Sequence, residues 1–341
     1  MPRFIKKMLL LCTLLTVVVL VLNFVGVRAG NIYKDGSALV CEKKRQLIQS
    51  GTIPYYKDRQ NVLFMGTSRI MAGIIPRYFD ELSKEKTFSY NLAFPALTIN
   101  AGYFALKEYL LTNPPPQCIV LALEISRCRN CSTINYYAVQ GMTRVDEIIS
   151  LFKYSNTKSV LLNYLFPFRM YKFFVPKYLK DSISNPQYIK DLEKRNRAKL
   201  AQMLNDRGYY YIEEQAVAED GQLPDDFIKL GRKVKGPKKP IEYNPYDDPY
   251  TAMFFDLAAE HGIPVLMIQP VYRVNQYSQY EKMPPQFENV LKHYGNVTTA
   301  PEGWKIKFFE NKYFSDPTHL NPEGARIFTE MIFKEYQGAF L

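Results

Sequence analysis

Residues 61–69, Asn-Val-Leu-Phe-Met-Gly-Thr-Ser-Arg, constrain the fold more than any other stretch of the chain. Val62 to Met65 are consecutive apolar residues. A short apolar run without alternation reads as a strand buried on both faces, the pattern of a parallel sheet covered by helices. Gly66 then permits a tight turn, and Ser68 falls at the strand's carboxyl end. In open α/β sheets, sites form outside the carboxyl ends of the strands. A serine there is well placed for a nucleophile, but its hydroxyl needs a base, and the base needs an orienting group.

The base has few candidates, because the chain holds 3 histidines. His319 lies in Phe314-Ser-Asp-Pro-Thr-His-Leu-Asn-Pro-Glu-Gly, with Asp316 just upstream. A turn of this length brings both side chains to one pocket, where His319 would take the Ser68 proton and Asp316 would fix the imidazole tautomer. His261 and His293 have no patterned partners and read as structural; His261 precedes Gly262 at a helix end, where a cation suits the dipole. The sequence carries no metal-ligand pattern and no Gly-rich phosphate loop, so neither a metal nor a cofactor is expected.

The remaining pattern alternates strand and helix. Pro76 starts a helix, and Phe88 to Leu92 reads as a second strand. Thr98 caps a helix with Ile99, Tyr103, Leu106 and Leu110 on its apolar face, which Pro114 to Pro116 end. Cys118 to Leu123 is a third strand. Asp248-Pro249 open a helix facing the core with Tyr250, Met253, Phe254 and Leu257. Val265 to Ile268 form another buried strand, a helix is expected near Pro285 to Tyr294, and Trp304 to Phe309 a last short strand. Asn321 caps and Pro322 starts a final helix lined by Ala325, Phe328, Met331 and Ile332. This order predicts an α/β domain, with a parallel sheet between helix layers, over residues 61–341. An insertion or cap at about 126–240 interrupts it. The insertion carries the aromatic cluster Leu161 to Phe174, the mixed-charge stretch Lys190 to Arg207 and the basic loop 231–240. That loop reads as solvated, with anionic headgroups or an anionic polymer as the functional alternative.

The N-terminus bears on compartment. Met8 to Val27 is uncharged, and Asn23 is its only strongly polar residue. At about 20 residues it is long enough to span a bilayer as a helix. Arg3, Lys6 and Lys7 precede it, which places the N-terminus in the cytoplasm and everything after Gly30 outside. Residues 1–30 are therefore expected to be a cytoplasmic tip and anchor, and 31–60 a linker with a helix leading into the domain. A signal peptide cleaved near Val27-Arg28-Ala29 is the competing reading, disfavoured by the length of the run. The net charge of +11 makes an anionic surface or polymer a plausible neighbour. No nucleic-acid-binding signature is present. Of 5 cysteines, Cys12 lies in the anchor, Cys118 in a strand and Cys41 beyond the anchor. Cys128 and Cys131 form a lone Cys-x-x-Cys, which outside the cytoplasm reads as a local disulfide rather than a zinc site.

Gly66-Thr67-Ser68 after the first strand, with Asp316 and His319 before the last helix, resembles the SGNH hydrolase superfamily. The Leu-Asn-Pro-Glu-Gly-Ala that follows His319 is also similar, and the resemblance runs in order from Asn61 to Tyr336. The anchor, the Gly-Thr-Ser-Arg block and the segment Tyr90 to Ala96 look like membrane-anchored members that work beside membrane-bound O-acyltransferases, such as teichoic-acid D-alanylation proteins of the DltD type and polysaccharide O-acetylation proteins. The resemblance implies a flavodoxin-like three-layer fold and Ser68, His319 and Asp316 as a triad. Oxyanion or substrate contacts would come from Ser68, Ala96, Arg69 and Asn91. The chain departs from the family at two points. Alanine, Ala93 or Ala96, stands where the second block has its glycine, and the third strand ends Leu123-Glu124-Ile125-Ser126-Arg127 without the third-block asparagine. The implied function is acyl transfer to a surface polysaccharide or teichoic acid, with a multi-span acyltransferase as partner. An esterase or deacetylase, or a non-catalytic polymer-binding protein, are the alternatives.

Overall fold

A computed structural model describes residues 2–28, 36–95, 97, 99–122, 142–143, 147, 183–211, 249–273, 290–300 and 307–340. Several expectations lie outside these residues: the Thr98 and Asp248 caps, Ala96, the Cys128/Cys131 pair, Trp304, and most of the 126–240 insertion with its aromatic cluster and basic loop. The chain forms two compact units, residues 1–39 with 143–197 and residues 40–142 with 198–341.

In the first unit, helix α1 (Pro2–Arg28) contains the Met8 to Val27 run. Among the described residues no helix is long and apolar enough to cross a membrane. The side chains of Val19, Leu20 and residues 22–27 are outside that description. Helix α2 (Gly36–Gln49) follows, and from Val40 onward it belongs to the second unit.

The second unit is built on strands β1 (Gln60–Met65), β2 (Thr87–Asn91), β3 (Cys118–Ala122), β4 (Val265–Ile268) and β6 (Val297–Thr299). They form one parallel sheet in the order β2-β1-β3-β4-β6. Strands β1 to β4 agree with the sequence expectation to within two residues at either end. Strand β6 was not expected: of its three residues only Val297 is apolar and buried, so it shows no run. The chain leaves β1 for β2 on one side and crosses to β3 on the other, so β1/β3 is the topological switch point at which such sheets bind ligands. A second, two-stranded parallel sheet pairs β5 (Val271–Arg273) with β7 (Lys307–Phe309). The strand expected at 304–309 thus pairs outside the main sheet.

Register explains the core. Phe64, Val120 and Leu266 lie side by side across β1, β3 and β4, facing α4 (Pro76–Leu82) and α8 (Pro322–Phe340). Phe79 of α4 meets Phe64, Phe333 and Tyr336 edge-on at centroid distances of 5.0, 5.3 and 5.2 Å. Leu63, Ile119 and Val265 alternate to the other face. Helices α5 (Ile99–Thr112) and α7 (Pro249–Glu260) pack on each other through Phe104 and Tyr250. Their buried faces differ from expectation. In α5, Ala101, Phe104, Ala105 and Tyr109 are buried beside Ile99 and Leu106, while Tyr103 and Leu110 are half-buried. In α7, Phe255 and Ala258 are buried and Met253 is exposed. Both helices are apolar over most of their surface, so no single stripe marks the inner side. Helix α6 (Pro186–Asn205) leads into Arg207, whose carbonyl accepts from Asn91 N–H at 2.8 Å. The Arg207 guanidinium pairs with buried Asp80.

Candidate active site

Ser68 opens a four-residue helix, α3 (Ser68–Met71), directly after β1. The bend between them depends on Gly66. Its φ is +156°, and a Cβ there would clash with Ile70 Cγ1 at 2.8 Å and sit tightly against the Ala122 carbonyl oxygen at 3.2 Å. Thr67 caps α3, its hydroxyl accepting from Arg69 N–H at 3.3 Å. Buried Ile70 and Met71 pin the helix to the core.

The other half of the site is the loop between Phe314 and Leu320. These two residues, both buried, form an antiparallel bridge that closes the loop at its base. Ser315 N–H donates to the His319 carbonyl at 2.9 Å. Asn321 accepts from Gly324 N–H at 2.9 Å and so caps α8, as its position before Pro322 predicts. The loop is thereby anchored at both ends.

These two segments meet. Ser68 Oγ lies 2.8 Å from His319 Nε2, and His319 Nδ1 lies 2.6 Å from Asp316 Oδ2. The second carboxylate oxygen, Asp316 Oδ1, accepts from Thr318 N–H at 2.7 Å, His319 N–H at 2.8 Å and the Thr318 hydroxyl at 3.0 Å. The carboxylate is therefore fixed before it orients the imidazole. Burial pushes the Asp316 carboxyl up, but the hydrogen bond and charge of His319, then the two backbone N–H groups, outweigh it and hold the group down at about 2. An ionised carboxylate on Nδ1 leaves Nε2 free to accept the serine proton. Thr318 went unnoticed in the sequence; its signal is a hydroxyl residue inside Asp-Pro-Thr-His.

The other expected contacts are placed differently. Asn91 is fully buried, with Nδ2 donating to the Ile70 and Ile74 carbonyls at 2.9 and 3.0 Å and Oδ1 accepting from Ala93 N–H at 3.1 Å. It anchors the end of the nucleophile's helix, and its amide is spent on backbone rather than on substrate. The Ala93 N–H is committed by the same bond, and Phe94 N–H donates to the Gly66 carbonyl at 3.0 Å. Arg69 donates to the Val271 carbonyl at 3.0 Å and lies over the Tyr272 ring at 4.7 Å. It therefore ties the segment after β4 to the residue beside Ser68. Ala96 lies outside the described residues.

Beneath the Asn91–Ala93 segment is a residue the sequence did not reveal. Lys44 of α2 is fully buried, and its ammonium donates to the carbonyls of Asn91, Ala93 and Gly208 at 2.9, 2.6 and 3.0 Å. Gly208 is required here: its φ is +88°, and a Cβ would stand 2.0 Å from the Asn91 oxygen. The available signal was a lysine at helical spacing among Val40, Cys41 and Ile48, all of them buried. Among the described residues no cluster of His, Cys, Asp and Glu is arranged to hold a metal ion.

The sequence matches the family DUF1574, described as a protein of unknown function, over residues 4–336, and the chain belongs to that family. No curated protein matches it.

Proposed function

We propose that this member of DUF1574 is a serine O-acyltransferase of the SGNH type. Ser68 would be the nucleophile, His319 the general base and acid, and Asp316 the orienting carboxylate. The supporting observation is the unbroken hydrogen-bond chain from Ser68 Oγ through His319 to Asp316. In the first step Ser68 Oγ attacks an acyl carbonyl while its proton passes to His319 Nε2. The bond to the leaving oxygen breaks, and that oxygen takes the proton from His319. In the second step a hydroxyl of the acceptor gives its proton to His319 and attacks the acyl-serine. The acceptor ester forms, and Ser68 regains the proton. The Ser68 N–H sits in the first turn of α3, where N–H groups lack helical acceptors, and it is the donor we assign to the developing oxyanion.

The setting we propose is the outer face of a membrane. The Met8 to Val27 run would anchor the chain, and the acceptor would be a surface polysaccharide or teichoic acid. A multi-span O-acyltransferase would supply the acyl group. Ser68→Ala in cells tests this reading: transfer requires that the acyl content of the surface polymer fall. A rise would make the protein a deacylase. No change, with polymer still bound, would favour a non-catalytic role.

A further inference from the structure

Gln269 follows β4 directly and is 2% exposed, yet neither Nε2 nor Oε1 of its side chain has a hydrogen-bond partner among the described residues. Buried amides are almost always paired, and one left open needs an explanation. Its position supplies one. Register aligns Met65 of β1 with Leu121 of β3, and Leu121 with Met267 of β4. Gln269 comes directly after Ile268 at the carboxyl end of β4, and β3 alone separates β4 from β1, whose carboxyl end leads to Ser68. The segment after Gln269 turns toward the serine: Arg69, next to Ser68, holds the Val271 carbonyl at 3.0 Å and covers the Tyr272 ring. The open amide thus belongs to the sheet edge that carries the triad. It follows four buried apolar residues, Val265 to Ile268, so nothing in the strand's own packing calls for a polar side chain there.

We infer that the Gln269 amide is a substrate-binding group for a hydroxylated acceptor. The inference rests on the acyl-transfer reading. An amide presents two N–H donors and a carbonyl acceptor. An acyl-ester carbonyl satisfies only the donors. A sugar or polyol, with hydroxyls that donate and accept on neighbouring carbons, satisfies both sides at once. The amide would hold one hydroxyl while its neighbour gives its proton to His319 and attacks the acyl-serine. The acceptor carries this contact, so its loss changes which nucleophile resolves the acyl-enzyme.

The test uses the full chain in detergent, with 4-nitrophenyl acetate as acyl donor and methyl α-glucoside as acceptor. The ratio of acetylated glucoside to acetate is measured for the wild type and for Gln269→Leu. That ratio should fall about tenfold or more in the variant. Melting without acceptor is the second readout. Removing an unpaired buried amide for an apolar group of similar size should leave the melting temperature equal or higher. A fall in melting temperature would show that Gln269 has a structural partner, and an unchanged ratio would show that it does not touch the acceptor. Either result overturns the inference. Failure of the underlying reading looks different: nitrophenol release would then be the same in wild type and Ser68→Ala. In that case the shift of melting temperature with methyl α-glucoside decides the Gln269 inference. A wild-type shift that Gln269→Leu abolishes supports it, and no wild-type shift, or one that the variant keeps, overturns it.

Discussion

Replacing Lys44 with methionine isolates the free energy of a buried ammonium that no carboxylate accompanies among the described residues. Burial lowers the Lys44 pKa from 10.5 to about 7, against a smaller opposing effect of Cys41. At about 1.36 kcal/mol per pKa unit, that shift weighs ~5 kcal/mol against the charged form. Below about pH 7, folded and unfolded chains both hold the proton, and the penalty is present in full. Between about 7 and 10.5 the unfolded lysine keeps a proton that the folded one has released, so stability rises with pH by up to ~1.4 kcal/mol per unit. Above that window the penalty is gone. Methionine has nearly the same length and no charge, so its penalty is absent at every pH. It leaves the Asn91, Ala93 and Gly208 carbonyls without their donor, at about 1–3 kcal/mol for each one not otherwise paired. The two effects are of similar size, so the pH dependence is the diagnostic, not the absolute difference. Urea unfolding of both proteins at pH 6, 8 and 9.5 gives the stability of wild type minus Lys44→Met. This difference should be flat up to about pH 7 and then climb by ~3 kcal/mol or more to pH 9.5. A flat or falling difference across pH 8 to 9.5 would refute a lysine that loses its proton inside the fold.

Three further outcomes are expected. Ser68→Ala should reduce ester turnover by about a thousandfold or more while costing only ~1 kcal/mol in urea unfolding, since it deletes one hydrogen bond; a loss below tenfold would remove Ser68 as nucleophile. Asp316→Asn should lower turnover by roughly 10³–10⁴-fold, because an amide cannot enforce the tautomer. Its folded pKa is depressed to about 2 from 3.8, so the carboxylate's contribution is complete above pH 3.8 and lost as pH falls through 2. Partial exposure limits that contribution to at most ~2 kcal/mol, and the Asn variant should lack this acid-dependent loss. Asn91→Ala should destabilise by about 3 kcal/mol from buried unpaired backbone groups and lower turnover with it; a melting temperature within a degree of wild type would show that Asn91 does not secure α3.

The sheet was legible where the sequence repeats one simple physical demand. Val62–Met65, Cys118–Ala122 and Val265–Ile268 are apolar runs because both faces are covered, and each became a central strand. Strand β6 was not legible, since an edge strand with half-exposed threonines has one covered position out of three. The final helix face was legible, with Ala325, Phe328 and Ile332 buried as expected, but in α5 and α7 the inner face was legible only in part, for the opposite reason. In α5 and α7 apolar residues lie on nearly every side, so periodicity could not say that Phe255 and Ala258 turn inward and Met253 outward.

Within the site, residues that do chemistry were easier to find than residues that hold them. Ser68, Asp316 and His319 stand in short segments whose local geometry suffices: a turn after a strand, and a loop before a capped helix. Their meeting follows from topology, because β1 ends at the switch point and α8 packs against α4, β4 and β6 on the sheet face that Phe64 lines. Lys44, Asn91 and Gln269 each occupy a position where an apolar residue would pack, and the carbonyls that Lys44 and Asn91 hold are remote in sequence. Lys44 reaches Gly208 across 164 residues, a pairing no window can contain. Asn91 reads from the sequence as a substrate contact; only the carbonyls of Ile70 and Ile74 reveal that its amide is used up. The same accounting separates the three. Lys44 and Asn91 spend their donors on backbone and so serve the scaffold. Gln269 spends none among the described residues, and that difference makes it the one expected to meet the acceptor.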